Sequence, residues 1–192
     1  MKRFSFLLVA PIFAGCFSAS APRTSDWAVD ATAPKAVTTA PSRFGVTRLS
    51  FVDVLSPYDE REIKVARADG TLAADPYNLF AAVPSRLLRA PVLNLLAASG
   101  RFAAVVAPSS SADAAFAVEV SVTDLHLDAT AREDDKTVCR AVVRLRLLVL
   151  DKSRAIVGDA VGEATETVHA GDLGKAFSTA FATAVKSALI QI

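Results

Sequence analysis

The chain has 192 residues, 52% of them apolar and 21% charged, with a formal net charge of +1. This length supports one domain with a proper core, and the near-neutral balance lacks the basic excess typical of nucleic-acid binding. We therefore expect neither a second large domain nor a nucleic-acid partner.

The chain begins with a pattern typical of an exported bacterial lipoprotein. Two basic residues precede the apolar run 4–14, which is shorter than the ~20 residues of a membrane-spanning helix. Ala14 and Gly15 stand directly before Cys16, and this order resembles the lipobox, in which the cysteine is lipidated and becomes the first residue of the mature chain. We predict a signal peptide over residues 1–15 and a lipid on Cys16. The alternative is an ordinary signal peptide with a chance cysteine at its end.

Phe17 follows the predicted lipid attachment site, where enteric-type bacteria usually carry an Asp to keep a lipoprotein in the inner membrane. By resemblance to that sorting rule, we expect an anchor in the outer membrane and a body on its periplasmic face. About three acyl chains would make the attachment almost irreversible. Removing Lys2 and Arg3 with the leader leaves 19 basic and 20 acidic residues, so the mature chain is close to neutral.

Residues 16–43 are rich in Ala, Ser, Thr and Pro, a composition that predicts a tether. A coil of about 27 residues would hold the body on the order of 30 Å from the bilayer. Trp27 and Val29 leave two interpretations open: a short edge strand that interrupts the tether, or an exposed Trp within it. We place the folded domain at residues 44–192.

The first part of the domain predicts strands. Val46 to Leu55 is apolar and β-branched and ends at a Ser-Pro turn signal. Ile63 and Val65 then lead into Asp69-Gly70, the dipeptide typical of a two-residue hairpin turn.

Beyond Asp75-Pro76-Tyr77 the apolar spacing becomes helical and continues to Gly100, which predicts a C-terminal cap. Pro91 lies inside this pattern, so we expect a kink near Leu87 or a break. A short strand follows at residues 102–107.

The strict alternation from Phe116 to Val122 predicts a half-buried strand, and its apolar phase then shifts by one residue, which indicates a β-bulge near Asp124. A charged hairpin loop is expected at residues 132–136. The longest strand, residues 137–150, and a last strand, residues 156–168, complete an antiparallel meander.

Residues 172–192 repeat apolar side chains at the spacing of one helix face. Small residues every four positions along it favour close contact with a sheet and disfavour a cavity. Together the elements predict a two-layer α+β domain, a mostly antiparallel sheet with two main helices packed on one face.

Besides the lipobox and the last helix, three segments form a recognisable order of motifs: Asp53 to Ile63, Asp75 to Asn78 and Leu95 to Phe102. Over nearly the whole mature chain, this order resembles the ABC-type transport auxiliary lipoproteins, which include the paraquat-inducible protein C group. The sequence departs from the usual family pattern at Phe80, where members commonly carry a Trp, and at Pro91.

The resemblance implies an outer-membrane docking component of a lipid transport system. Its expected partners are a mammalian-cell-entry-domain protein and ABC transporter components, which move phospholipid or other apolar molecules across the envelope. Two alternatives stay open: a stand-alone lipid carrier with its own apolar cavity between helices and sheet, and a structural envelope lipoprotein without a transport partner.

Nothing in the sequence favours an enzyme. His126 and His169 are far apart along the chain, and no nucleophile elbow, P-loop or zincin motif is present. Cys139 continues the apolar alternation of the longest strand, which predicts a small buried side chain. We therefore expect no catalytic residue, no metal and no cofactor, and we expect His126 to face solvent or the bulge.

Arg140, Arg144 and Arg146 share one face of the longest strand. In one interpretation they pair with acids of neighbouring strands on a solvated face; in the other they bind acidic groups of a partner or phospholipid head groups. The candidate acids are Glu119, Asp159 and Glu163.

Tyr58 and Tyr77 lie in segments that match the family pattern. Tyr combines contact area with a polar tip, so both are candidate anchors at a partner interface. They are equally suited to ordinary core and turn positions.

Overall fold

The structure is a computed structural model that describes residues 23–30, 42–133, 136–169 and 171–192. The predicted signal peptide, Cys16 and much of the tether lie outside the described residues.

Strands and helices follow one another along the chain with short connections. The strands are β1 (Ser25–Trp27), β2 (Phe44–Val54), β3 (Glu62–Ala66), β4 (Leu72–Phe80), β5 (Phe102–Val106), β6 (Phe116–Asp128), β7 (Arg132–Glu133), β8 (Lys136–Thr137), β9 (Arg140–Asp151) and β10 (Ile156–Thr167). The helices are α1 (Pro84–Leu87), α2 (Arg89–Ala98) and α3 (Leu173–Gln191). Within the described ranges, no helix combines the length and the apolarity needed to cross a bilayer.

The main sheet is built around β6. On one side β6 pairs with β9, which pairs with β10, and both pairings are antiparallel, so the predicted meander is confirmed. On its other side, β6 pairs with β2 along the first half of β6 and with β3 along the second half. Both of these pairings are parallel. On the sides away from β6, β5 pairs with β2 and β4 pairs with β3. β1 in turn pairs with the outer edge of β4.

The expected mostly antiparallel sheet is wrong, because four of these seven pairings are parallel. The physical reason is that β2 and β3 both lie beside β6, at successive parts of its length, and both run in the same direction as β6. Parallel pairing joins segments that are distant in sequence, whereas the sequence pattern marks only the hairpins. The broader α+β class and the two layers agree with the prediction.

The central strand confirms the predicted phase shift. Val118, Val120 and Val122 are buried on the helix-facing side, and Leu125 then takes over that side. The register with β9 shifts between Val122 and Asp124, as a bulge requires.

The first predicted helix is broken where Pro91 suggested. α1 ends at Leu87, and α2 starts again at Arg89. This break places Pro91 in the first turn of α2, where a backbone N–H would have no helical partner and its absence costs little. Gly100 follows α2 with φ of 71°, so the predicted glycine cap is present.

Two turn regions differ from the prediction. The spacing predicts a helix beyond Tyr77, but residues 78–80 continue β4. The Asp75 carboxylate accepts hydrogen bonds from the backbone N–H groups of Tyr77 and Asn78 where Pro76 interrupts the ladder. The turn at Asp69-Gly70 lies in a five-residue loop, Arg67 to Thr71, rather than a two-residue one. Around the charged hairpin loop expected at residues 132–136, β7 and β8 form a short antiparallel ladder of their own.

α3 covers β9 and β10 with the apolar stripe predicted from the sequence. Phe177, Ala180, Phe181, Ala184 and Ala188 are completely buried. Phe80, at the position where the resembling family commonly carries Trp, packs its ring edge against Phe177 with centroids 5.2 Å apart.

The two layers are in backbone contact at Gly162 of β10. A Cβ atom built on Gly162 would lie 1.9 Å from the carbonyl oxygen of Ala184. No side chain fits in that space, so glycine is a requirement of the helix-to-sheet contact. The small residues of α3 therefore produce the close packing that the sequence predicted.

Replacing Gly162 with Ala is expected to lower the free energy of unfolding by about 3 kcal/mol or to prevent folding, because the backbone of α3 must move away from β10. Urea unfolding followed by circular dichroism measures the change. Gly45→Ala is the matched control, because its added Cβ would have no neighbour closer than 3.7 Å. Equal stability of the two variants would contradict the close-contact argument.

Candidate partner surface on the open face of the sheet

The helices cover one face of the sheet, and the other face, called here the open face, carries the outward side chains of β2, β6, β9 and β10. No helix of the described residues packs on it. Apolar side chains remain partly in solvent there, including Phe51 at 40% and Val161 at 42% exposure. The positions of the predicted partner-binding residues are therefore described relative to the open face.

Arg144 and Arg146 lie side by side on the open face and form ion pairs with β10. The Arg144 Nε atom is 3.8 Å from Glu163 Oε2. Arg146 holds both carboxylate oxygens of Asp159, with distances of 2.8 and 2.6 Å from Nε and Nη2. This hydrogen-bonded pair raises the pKa of Arg146 and lowers the pKa of Asp159. The pairing that the sequence suggested is thus present at both arginines.

Arg140 lies apart from the other two arginines. It opens β9, four residues before Arg144, which corresponds to about 13 Å along a strand. Its Nη2 atom is 4.0 Å from Glu133 Oε2. Arg140 therefore belongs to the end of the sheet rather than to its centre.

Tyr58 stacks on His126 over the open face, with ring centroids 5.7 Å apart and planes inclined by 20°. Burial of the phenol raises the pKa of Tyr58, and the nearby Asp124 carboxylate adds to the effect. Asp124 is in register with Arg144 on β9. Tyr58, Asp124, Arg144 and Glu163 therefore form a continuous line of side chains across the sheet.

His126 is less exposed than the sequence suggested. It points to the open face, as expected from the bulge, but Tyr58 covers it, and its Nδ1 atom is buried without a hydrogen bond to the described residues. Burial lowers the pKa of His126, and Asp124 and Asp128 oppose that shift. Lys64 occupies the neighbouring position on β3 and is paired with Glu60.

Sequence reasoning missed the Tyr58–His126 contact. The phase shift at Asp124 was the available signal, since it turns His126 outward, but no local pattern shows that the loop after β2 folds back over β6. Tyr77, the other candidate tyrosine, lies on β4 and is 48% exposed, away from this line. The structure thus brings Tyr58, Arg144 and Arg146 onto one surface and leaves Tyr77 and Arg140 elsewhere. A partner-binding role for all five stays a prediction.

Away from the open face, the described residues form a polar cleft and include a free thiol. A cleft of about 200 Å³ lies between the end of β10 and the start of α3, lined by polar residues that include Glu166, His169, Asp172 and Lys175. Across the described part of the chain, no three His, Cys, Asp or Glu side chains are placed to hold a metal ion. Cys139 is a partly buried free thiol, and burial raises its pKa.

Comparison with known proteins shows similarity at the level of fold. No protein-family model matches the sequence, and no curated protein matches it. A solved structure from Xanthomonas campestris, described as DUF330, is 15% identical, with 88% of this chain and 93% of that chain covered and a TM-score of 0.67. A second, an uncharacterized protein, is 11% identical, with 85% and 94% covered and a TM-score of 0.61. At these identities the likeness concerns the fold alone.

His126 is expected to make folding pH dependent between pH 7 and pH 5. Its pKa in the folded chain lies below the unfolded value of about 6.5, so on acidification the unfolded chain gains a proton that the folded chain resists. The free energy of unfolding should therefore fall with pH in this window, by no more than about 1.4 kcal/mol per pH unit.

Urea unfolding at several pH values tests this expectation. His126→Gln should flatten the dependence between pH 7 and pH 5, whereas the control His169→Gln, at an exposed residue outside the elements, should leave it as in the wild type. A wild-type slope that survives in His126→Gln would show that another group is responsible.

Proposed function

We propose that this protein is a lipid-anchored, non-catalytic auxiliary component of an ABC-type, mammalian-cell-entry-type lipid transport system. Its body would lie in the periplasm, held to the outer membrane through Cys16, and would dock or assemble the transporter parts. The signal and motif order of the sequence suggest this role. The observation that carries it is the contrast between the closed helix face and the open face of the sheet.

Close packing at Gly162 argues against a lipid bound between α3 and β10. A carrier needs an enclosed apolar volume, and ligand pockets are typically about 300–1,000 Å³. Here the backbone of α3 rests directly on β10 at Gly162, and the alanines between them are completely buried. Binding a phospholipid between these layers would require α3 to separate from the sheet. The packing therefore favours a docking role over the stand-alone carrier.

The open face has the composition of a protein-binding surface. It presents partly exposed apolar side chains, such as Phe51 and Val161, beside oriented guanidinium groups on Arg144 and Arg146. Apolar contact area bordered by arginine and tyrosine is typical of binding hot spots. Tyr58 supplies the aromatic member of this set.

Affinity purification from detergent-solubilised envelopes, with mass spectrometry of proteins and lipids, tests the function. Co-purification of a mammalian-cell-entry-domain protein or of ABC components would support the proposal. Stoichiometric phospholipid without those proteins would instead support the carrier. Recovery of neither would leave a structural envelope lipoprotein as the better account.

Replacing Arg144 and Arg146 with Glu is expected to weaken partner recovery several-fold, because the two new acids stand beside Asp159 and Glu163 and reverse the charge offered to a partner. The protein should still fold, because both side chains are exposed. Arg86→Glu with Arg89→Glu is the matched control, since it makes the same charge change at exposed positions of the helix layer. Equal recovery with both double variants would remove the open face from the proposal.

Replacing Cys16 with Ser is expected to move the protein from the membrane fraction to the soluble fraction, because the acyl chains supply the attachment. Fractionation and palmitate labelling measure this. A variant that stays membrane-bound and palmitate-labelled would refute lipidation at Cys16.

A further inference from the structure

Part of the predicted tether is fixed to the body. Residues 23–30, called here the docked segment, include β1, which adds to the edge of the sheet parallel to β4. The indole Nε1 of Trp27 donates a hydrogen bond to Asn78 Oδ1 at 2.9 Å, and Val29 is only 5% exposed. The edge-strand interpretation of Trp27 is therefore confirmed.

The docked segment also contacts α3 and the loop before β3. A Cβ atom on Gly174 would lie 2.9 Å from the carbonyl oxygen of Ala28, so the segment crosses the first turn of α3 at backbone distance. The backbone N–H of Asp30 donates to Ser178 Oγ at 2.9 Å. Arg61 forms an ion pair with Asp26 at 2.8 Å. These contacts hold the segment on three sides.

Docking shortens the reach of a lipid anchor at Cys16. Asp26 is only ten positions after Cys16, and a fully extended chain over ten positions spans at most about 35 Å. A tether running freely to residue 43 would have much greater reach. The anchored body must therefore present to the bilayer a part of its surface that lies close to β1.

One end of the sheet lies within reach of the anchor, and the chain enters β1 from the side of that end. This end, called here the end row, is a line of paired residues across five strands. Its members are Leu72, Ala66, Asp128, Arg140 and Thr167. β1 runs parallel to β4, which starts at the end row, so the chain before Ser25 comes from the direction of that row.

Distances along the strands favour the same end. Asp26 and Glu62 both pair with Leu79 of β4, and Glu62 lies four residues before Ala66, so Asp26 is about 13 Å from the end row. The opposite end, where β6 begins, is about 26 Å away, and reaching it would require the chain to reverse its direction.

We propose that the outer-membrane bilayer to which the protein's own anchor attaches faces the end row and the adjoining edge of β4. This inference rests on the proposed lipid anchor at Cys16. The surface there suits a lipid head-group layer, because Leu72 is 42% exposed at the end row, Arg67 is exposed in the loop next to it, and Tyr77 is 48% exposed further along β4. The strands then stand roughly upright on the membrane, and the open face remains accessible from the side.

Two labelled positions test the orientation. The lipidated full-length protein, with Cys139→Ala to remove the free thiol, is reconstituted in phosphatidylethanolamine and phosphatidylglycerol vesicles that contain head-group spin-labelled lipid. A fluorophore is placed at Ala68→Cys, in the exposed loop beside the end row, or at Ser109→Cys, in the loop at the opposite end that Arg48 holds. We expect several-fold stronger quenching at position 68 than at position 109.

Equal or reversed quenching in protein that floats with the vesicles would overturn the orientation alone. Protein that carries no acyl chain and does not float would overturn the anchor, and with it both the orientation and the proposed function.

A second measurement releases the docked segment from the body. Trp27→Ala with Val29→Ser should reduce the difference between the two labels while flotation persists, and Thr24→Ala, at an exposed residue of the same segment, should not. A full difference in the released variant would overturn the role of the docked segment.

Discussion

The backbone contact between Gly162 and Ala184 determines how the two layers of this domain fit together. Because the helix rests on the strand without an intervening side chain, α3 and the sheet form a continuous core through Phe177 and Phe181. This contact leaves little room for a bound lipid on the helix face. A partner that does not enter between the layers could instead use the open face, where Phe51 and Val161 are partly exposed.

The elements that the sequence predicted correctly are those with a local cause. The alternation along β6 and its phase shift identified both the strand and the bulge, because side-chain period alone reports which face is buried. The stripe of α3 is equally local. Pro91 marked the helix break because its ring excludes a helical interior, and the structure starts α2 two residues earlier.

The elements that were missed depend on contacts between distant segments. No hairpin signal reveals that β2 and β3 run along the same side of β6, since parallel neighbours are joined by long connections. The extension of β4 through Pro76 depends on hydrogen bonds to Asp75, which a helical spacing pattern overlooks. In the same way, the stacking of Tyr58 on His126 requires the loop after β2 to fold back over β6. Sequence reasoning named Tyr58 but could not provide its neighbour.

The two interpretations of the arginine stripe are compatible once the strength of the ion pairs is considered. Exposed pairs of this kind contribute little to stability, because water screens them and both side chains lose freedom. Asp159 therefore holds the guanidinium of Arg146 in one orientation without binding it tightly. A carboxylate from a partner could replace Asp159 at little cost, or Arg146 could use its remaining N–H donors while the pair persists. Under the proposed docking role, pairing within the sheet would prepare Arg146 for a partner, because two hydrogen bonds to Asp159 fix the direction of its guanidinium.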